Sequence, residues 1–71
     1  SYTRRLGTDR NLRLKKLGEE CAELVVACAD DDRARAIEEA ADVLYHTLVA
    51  LRSVGASLDD LRRVIASRRR D

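Results

Sequence analysis

Two stretches of this 71-residue chain concentrate the side chains that could do chemistry. "KKLGEECAELVVA" sets Glu19, Glu20 and Glu23 among Leu17, Cys21, Leu24, Val25 and Val26. "IEEAADVLYHTLVA" repeats the design, with Glu38, Glu39 and Asp42 among Ile37, Ala40, Ala41, Val43 and Leu44. Residues three apart on a helix sit on adjacent turns of one face. Glu20 with Glu23, and Glu39 with Asp42, therefore each make a two-carboxylate clip. In an antiparallel pair of helices the clips can face each other. Four carboxylates in a partly dry seam cannot all stay ionised without a cation. Hard oxygen donors in that number suit Mg2+ or Mn2+, not zinc. Magnesium also leaves coordination positions that substrate phosphates can fill. The competing reading is two acidic faces turned to water, the ordinary use of a single EExxE. A doubled motif in an apolar setting weakens that reading without removing it.

Such clips need helices to hold them, and the chain supplies little else. It has no proline, and no period-two run of β-branched residues marks a strand. Helical periodicity dominates. Residues 1–8 form a short opening segment, helical through residues 2–6. The first long helix is expected from about residue 9 to residue 29, with Asp9 as its N-cap. "DDD" at residues 30–32 breaks it, and Asp31 or Asp32 caps the second helix, about residues 33–54. Gly55 is placed as the C′ residue that turns left-handed. "SLDD" reads as a capping box, Ser57 with Asp60, opening a third helix over about residues 58–68. "SRRRD" is a solvated, fraying basic end. The fold class is all-α: an antiparallel helical hairpin plus a third helix.

Both long helices are apolar on more than one face. On the second, Ile37, Ala41, Leu44, Leu48 and Leu51 form the main stripe. Glu39, Asp42 and His46 fall on roughly the opposite side, with Val43 and Val49. On the first, Leu14, Leu17, Cys21, Leu24, Val25 and Cys28 form the main stripe. Glu19 and Glu23 share the far side with Lys16, and Glu20 lies between. Helices of that kind are buried on two sides. A chain this short rarely builds a sufficient core alone, so the expectation is one domain over residues 1–71 that completes a helical bundle as a homodimer. Cys21 and Cys28, about 10 Å apart along one helix, are too distant for a disulfide. They read as small buried apolar residues in a reducing, cytoplasmic setting. The net charge of +1 argues against a nucleic-acid partner, and Asp59 and Asp60 offset Arg62, Arg63 and Arg68 on the third helix. No apolar run reaches the ~20 residues of a membrane span, and no signal peptide is apparent.

The neighbours of the acids carry a resemblance. "SYT" upstream, "KKLGEECAEL" and "EEAADVLYH" resemble the phosphoribosyl-ATP pyrophosphohydrolases of histidine biosynthesis, within the all-α group of nucleotide pyrophosphohydrolases that includes MazG. The likeness runs from Ser1 to about Leu61. It implies Glu20, Glu23, Glu39 and Asp42 as metal ligands, with Mg2+ as the ion and Mn2+ as the other fit. It implies Glu19 as their supporting partner or as the base that activates water. Ser1, Tyr2, Thr3, Arg4, Lys16 and His46 are its candidates for contact with the substrate, phosphoribosyl-ATP. The implied reaction releases pyrophosphate and leaves phosphoribosyl-AMP. Relatives usually carry a further helix before "SYT", and their segment between "SYT" and "KKLGEE" is slightly longer. The chain is therefore read as trimmed, or as a piece of a longer protein, some relatives being fused behind a cyclohydrolase domain.

Two other functions stay open at this point. One is a MazG-like enzyme acting on other nucleoside triphosphates. The other is a non-catalytic helical dimerisation module whose acids are an ordinary polar face. Convergence of Glu20, Glu23, Glu39 and Asp42 across the hairpin favours an enzyme; divergence into solvent favours the module.

Overall fold

A computed structural model of the protein describes residues 1–69. Those residues form four helices and no strand: α1 (Tyr2–Thr8), α2 (Arg10–Ala29), α3 (Arg33–Ser53) and α4 (Leu58–Ser67). Each begins where a short polar side chain satisfies an otherwise orphaned backbone N–H. The Ser1 hydroxyl accepts from Arg4 N–H at 3.2 Å, and the Asp9 carboxylate from Leu12 N–H at 3.0 Å. Asp32, not Asp31, caps α3, accepting from Arg35 N–H at 3.2 Å. Asp31 has the other task. At φ 54° it takes the left-handed turn that ends α2, donating to the Cys28 carbonyl while Asp32 donates to that of Ala27. Asp tolerates this conformation better than most side chains.

Gly55 does the same after α3, at φ 78°. Its N–H donates to the Arg52 carbonyl and that of Ala56 to Leu51, a Schellman closure. The capping box on α4 is complete: Asp60 N–H donates to Ser57 Oγ, and Ser57 N–H donates to the Asp60 carboxylate. Helix α1 runs two residues beyond the expected 2–6. Of the basic end, Arg68 is the C-cap of α4, and residues 70–71 lie outside the described residues.

Helices α2 and α3 pack as an antiparallel hairpin, and α1 lies across its open end against both. Arg13 of α2 ties α1 down. Its guanidinium donates to the carbonyls of Leu6 (3.0 Å) and Gly7 (3.3 Å), the last turn of α1. Leu6 is fully buried beneath this contact. Leu6→Ala is expected to cost about 3 kcal/mol, the usual loss for a buried leucine, and a urea melt reads it directly.

On α3 the face that closes the hairpin is not the main apolar stripe, whereas on α2 it includes that stripe's Leu17 and Leu24. Lys16, Leu17, Glu20, Leu24 and Ala27 of α2 are withdrawn from water, as are Ala36, Glu39, Val43, His46 and Ala50 of α3. The rest of the stripes is partly open, with Ile37, Leu44, Leu14 and Val25 exposed and Leu48 and Leu51 half-buried. Cys21 and Cys28, expected to be buried, are exposed free thiols, because they belong to those uncovered stripes. Among the described residues only Leu6, Ala27 and His46 are buried outright. Helix α4 packs closely on no other helix among the described residues, and its Leu58, Val64 and Ile65 are exposed.

Candidate active site

The hairpin brings its small and charged residues inward, and the acids come with them. One carboxylate oxygen from each of Glu20, Glu23 and Glu39 lies within 4.8 Å of the others. Oxygens on a single magnesium ion stand up to about 4.2 Å apart, so side-chain adjustment alone closes this set around one cation. Glu20 Oε2 and Glu39 Oε2 are both buried and have no hydrogen-bond partner. Buried polar atoms are nearly always satisfied. Two orphaned carboxylate oxygens converging from opposite helices are what a cation would satisfy, and the donor chemistry fits Mg2+ or Mn2+.

Electrostatics repeat the point. The Glu39 carboxyl is pushed up to about 7. Loss of water around it is the main cause, followed by a hydrogen bond and charge repulsion from Glu23, then by the charges of Glu20 and Asp42. Glu20 is raised for the same reasons, burial first, then Glu23 and Asp42, with His46 pulling the other way. Glu23 thus stands between the two clips. Asp42 is exposed and outside the tight set of three, yet its charge reaches both buried glutamates.

The remaining candidates divide into two groups. Glu19 is not drawn into the seam; it pairs with Lys15 at 3.8 Å and Lys16 at 3.6 Å. These are surface pairs, worth little to stability, but they set Lys16 one turn before Glu20. His46 is buried and packed between two aromatic edges, Tyr2 with ring centroids 6.1 Å away and Tyr45 at 5.1 Å. Thr3 Oγ1 shares a hydrogen bond of 2.5 Å with the Tyr45 hydroxyl. Residues 1–4 are thereby fastened to α3 beside the acid seam, with the Ser1 hydroxyl occupied as the cap of α1. Tyr45 is the residue to which the sequence analysis gave no role, although it stands in the "EEAADVLYH" stretch, three residues after Asp42 and on the next turn.

Against this geometry the sequence can be compared with known proteins. Residues 1–69 match the phosphoribosyl-ATP pyrophosphohydrolase family. The chain belongs to that family. It is 46% identical over 72 residues to the phosphoribosyl-ATP pyrophosphatase of Haloarcula marismortui, covering 97% of this chain and 74% of that protein. It is 49% identical over 71 residues to the histidine biosynthesis bifunctional protein HisIE of Prochlorococcus marinus strain MIT 9313, covering 97% of this chain but 32% of that protein. The HisIE protein of Nostoc sp. is likewise 49% identical, with 33% of its length covered. This chain therefore spans about a third of those bifunctional relatives. Membership in the pyrophosphohydrolase family agrees with an all-α chain in which Glu20, Glu23 and Glu39 converge across the hairpin.

Proposed function

We propose that this chain hydrolyses phosphoribosyl-ATP between its α- and β-phosphates, giving phosphoribosyl-AMP and pyrophosphate, in the cytoplasmic synthesis of histidine. One observation carries the reading: a seam of converging carboxylates with two orphaned buried oxygens, in a member of this family. Glu20, Glu23, Glu39 and Asp42 are assigned as the ligands of Mg2+ or Mn2+. When bound, the cation supplies charge neutralisation for the phosphates and the leaving pyrophosphate. The protein needs to do little covalent work in such a transfer; positioning and electrostatics are enough.

Lys16, one turn before Glu20, offers an ammonium to a phosphate oxygen. Glu19 is assigned to orient or deprotonate the attacking water, released for that task from its weak surface pairs with Lys15 and Lys16. Thr3 and Arg4 are carried to the seam's edge by α1 and face the rest of the nucleotide. Tyr2 and His46 hold that arm in register through their edge-to-face contact.

We further propose that the working form is a homodimer. The chain exposes 5637 Å2, whereas a compact monomer of 8.0 kDa exposes about 4,450 Å2. The excess exceeds the roughly 800 Å2 that each partner contributes to a standard interface. It lies largely on the open stripes of α2 and α3 and on the unpartnered α4.

Pyrophosphate release from phosphoribosyl-ATP, measured with Mg2+ and with a chelator, tests the enzymatic reading. Metal-dependent release from this substrate and none from ATP or dUTP is the expected result. Release from dUTP in preference would move the chain to the MazG-like branch. Absence of release together with absence of Mg2+ binding would leave a helical interaction module.

A further inference from the structure

Two cavities adjoin where α1 crosses the C-terminal half of α3. One, of about 360 Å3, is lined by Thr3, Arg4, Gly7, Val49, Arg52 and Ser53. The other, of about 600 Å3, takes in Tyr45 and Leu48 and runs to the α3–α4 turn. Thr3, Val49 and Arg52 border both. Their volumes fall in the range of small-molecule sites, about 300–1,000 Å3. The lining is largely apolar, with hydroxyls from Thr3 and Tyr45 and positive charge from Arg4 and Arg52.

That charge is unmatched. Among the described residues, the ion pairs are Lys15 and Lys16 with Glu19, Arg35 with Asp30, and Arg63 with Asp59 and Asp60. Among those residues neither Arg4 nor Arg52 has a carboxylate partner. Two unpaired guanidinium groups on the rim of one cavity make a site for a phosphate, which arginine recognises through its planar fork.

The position of that site is informative. At 100° per residue, Asp42, Tyr45, Val49 and Arg52 fall within about 80° of one another on α3. They form a strip from the acid seam to the cavity, and ten residues at 1.5 Å each put Arg52 about 15 Å from Asp42. Phosphoribosyl-ATP has phosphate at both ends: the triphosphate on one ribose, and a single 5′-phosphate on the second ribose, attached to the far side of the purine. A purine carrying a ribose phosphate on each side separates its phosphates by a distance of that order.

Resting on the proposed reaction, we infer that Arg52, with Arg4, binds the 5′-phosphate of the phosphoribosyl arm while the triphosphate occupies the acid seam. Tyr45, Leu48 and Val49 then lie under the purine and the second ribose. Arg52 is thereby a specificity-determining residue, since ATP lacks the group it holds.

The test uses Arg52→Gln and Arg52→Lys, with phosphoribosyl-ATP as substrate and with phosphoribosyl-AMP and AMP as competing inhibitors. Arg52 is exposed, and circular dichroism with a thermal melt verifies that the variants fold. For Arg52→Gln, kcat/KM is expected to fall on the order of 10- to 100-fold, the scale of one charge-assisted phosphate contact. The loss should lie mainly in KM, and Arg52→Lys should restore part of it. Inhibition by phosphoribosyl-AMP should weaken in parallel, while inhibition by AMP stays unchanged, which a general structural defect would not produce. If wild type turns over phosphoribosyl-ATP and Arg52→Gln matches it within twofold, the subsite is refuted and the reaction stands. Equal weakening of AMP and phosphoribosyl-AMP also refutes it. A wild type that does not hydrolyse phosphoribosyl-ATP overturns the underlying reaction, and this assignment with it.

Discussion

Glu39→Gln is expected to abolish metal-dependent pyrophosphate release while leaving a folded and, without metal, more stable protein. The two halves of this expectation come from one arrangement. Glu39 contributes an oxygen to the set shared with Glu20 and Glu23, and its Oε2 is buried and unpartnered. Removing residues that merely support a metal ligand costs about 10- to 100-fold in affinity or activity. Removing a direct ligand costs more, so turnover at saturating Mg2+ should drop by about 1,000-fold or further. Asp42→Ala should act in the same direction with a smaller effect, because Asp42 is exposed and outside the tight set. A Glu39→Gln enzyme with wild-type turnover would remove Glu39 from the metal site.

The stability half follows from the proton balance. The Glu39 carboxyl, ordinarily near 4.5, is pushed up to about 7 by burial and by its acidic neighbours. Between those values the folded chain holds a proton that the unfolded chain has lost. Stability of the metal-free protein therefore falls as pH rises from about 4.5 through about 7, and levels off above. The stabilisation by added Mg2+ should run the opposite way and grow with pH, since the cation displaces that proton. Thermal melts with a chelator and with Mg2+, at about pH 5 and about pH 8, separate the two slopes. In Glu39→Gln both should flatten, and the chelator-treated melting point at the higher pH should exceed that of wild type. An unchanged pH dependence would mean that the repulsion resides elsewhere.

The acid seam was legible because carboxylates at i and i+3 share a helical face whatever surrounds them, and the motif occurs twice. Caps were legible for a similar reason: Asp9, Ser57 and Gly55 act on backbone groups within a few residues. What local patterns do not encode is which of two apolar faces a helix gives to its own chain. Leu44 and Ile37 are larger than Ala36, Val43 and Ala50, so hydrophobicity alone favours the leucine stripe for the hairpin. On α3 the structure takes the smaller residues instead, which bring the helices together around the glutamates. The exposure of Cys21 and Cys28 follows from that choice. The Thr3–Tyr45 bond and the Arg13 clamp on α1 were equally invisible in the sequence. One joins residues 42 apart, and the other requires the chain to fold back at Asp9 before Arg13 can meet Leu6.

Leu44→Asp should convert the proposed dimer into a poorly stable monomer. Leu44 lies near the middle of α3 and of the stripe formed by Ile37, Ala41, Leu44, Leu48 and Leu51, and it is 52% exposed in the single chain. In a two-fold interface the same patch meets itself, so a central residue acts twice. Loss of a leucine contact forfeits about 1.5–3 kcal/mol per site, and an unpaired carboxylate in its place adds a desolvation cost. Twice that sum weakens association by more than about 1,000-fold, at about 1.4 kcal/mol per tenfold. The consequence for folding is as large. Among the described residues only Leu6, Ala27 and His46 are buried outright within one chain, so in the proposed dimer the second copy supplies much of the apolar burial. A destabilisation of several kcal/mol in a chain this short lowers Tm by more than about 15 °C. Sedimentation of wild type should give a dimer whose melting point rises with protein concentration, and Leu44→Asp should sediment as a monomer without that dependence. Leu44→Met, which preserves the volume, should behave as wild type. A wild-type chain that sediments as a monomer and melts independently of concentration would show that α2 and α3 keep their apolar stripes open, and the dimer would have to be abandoned.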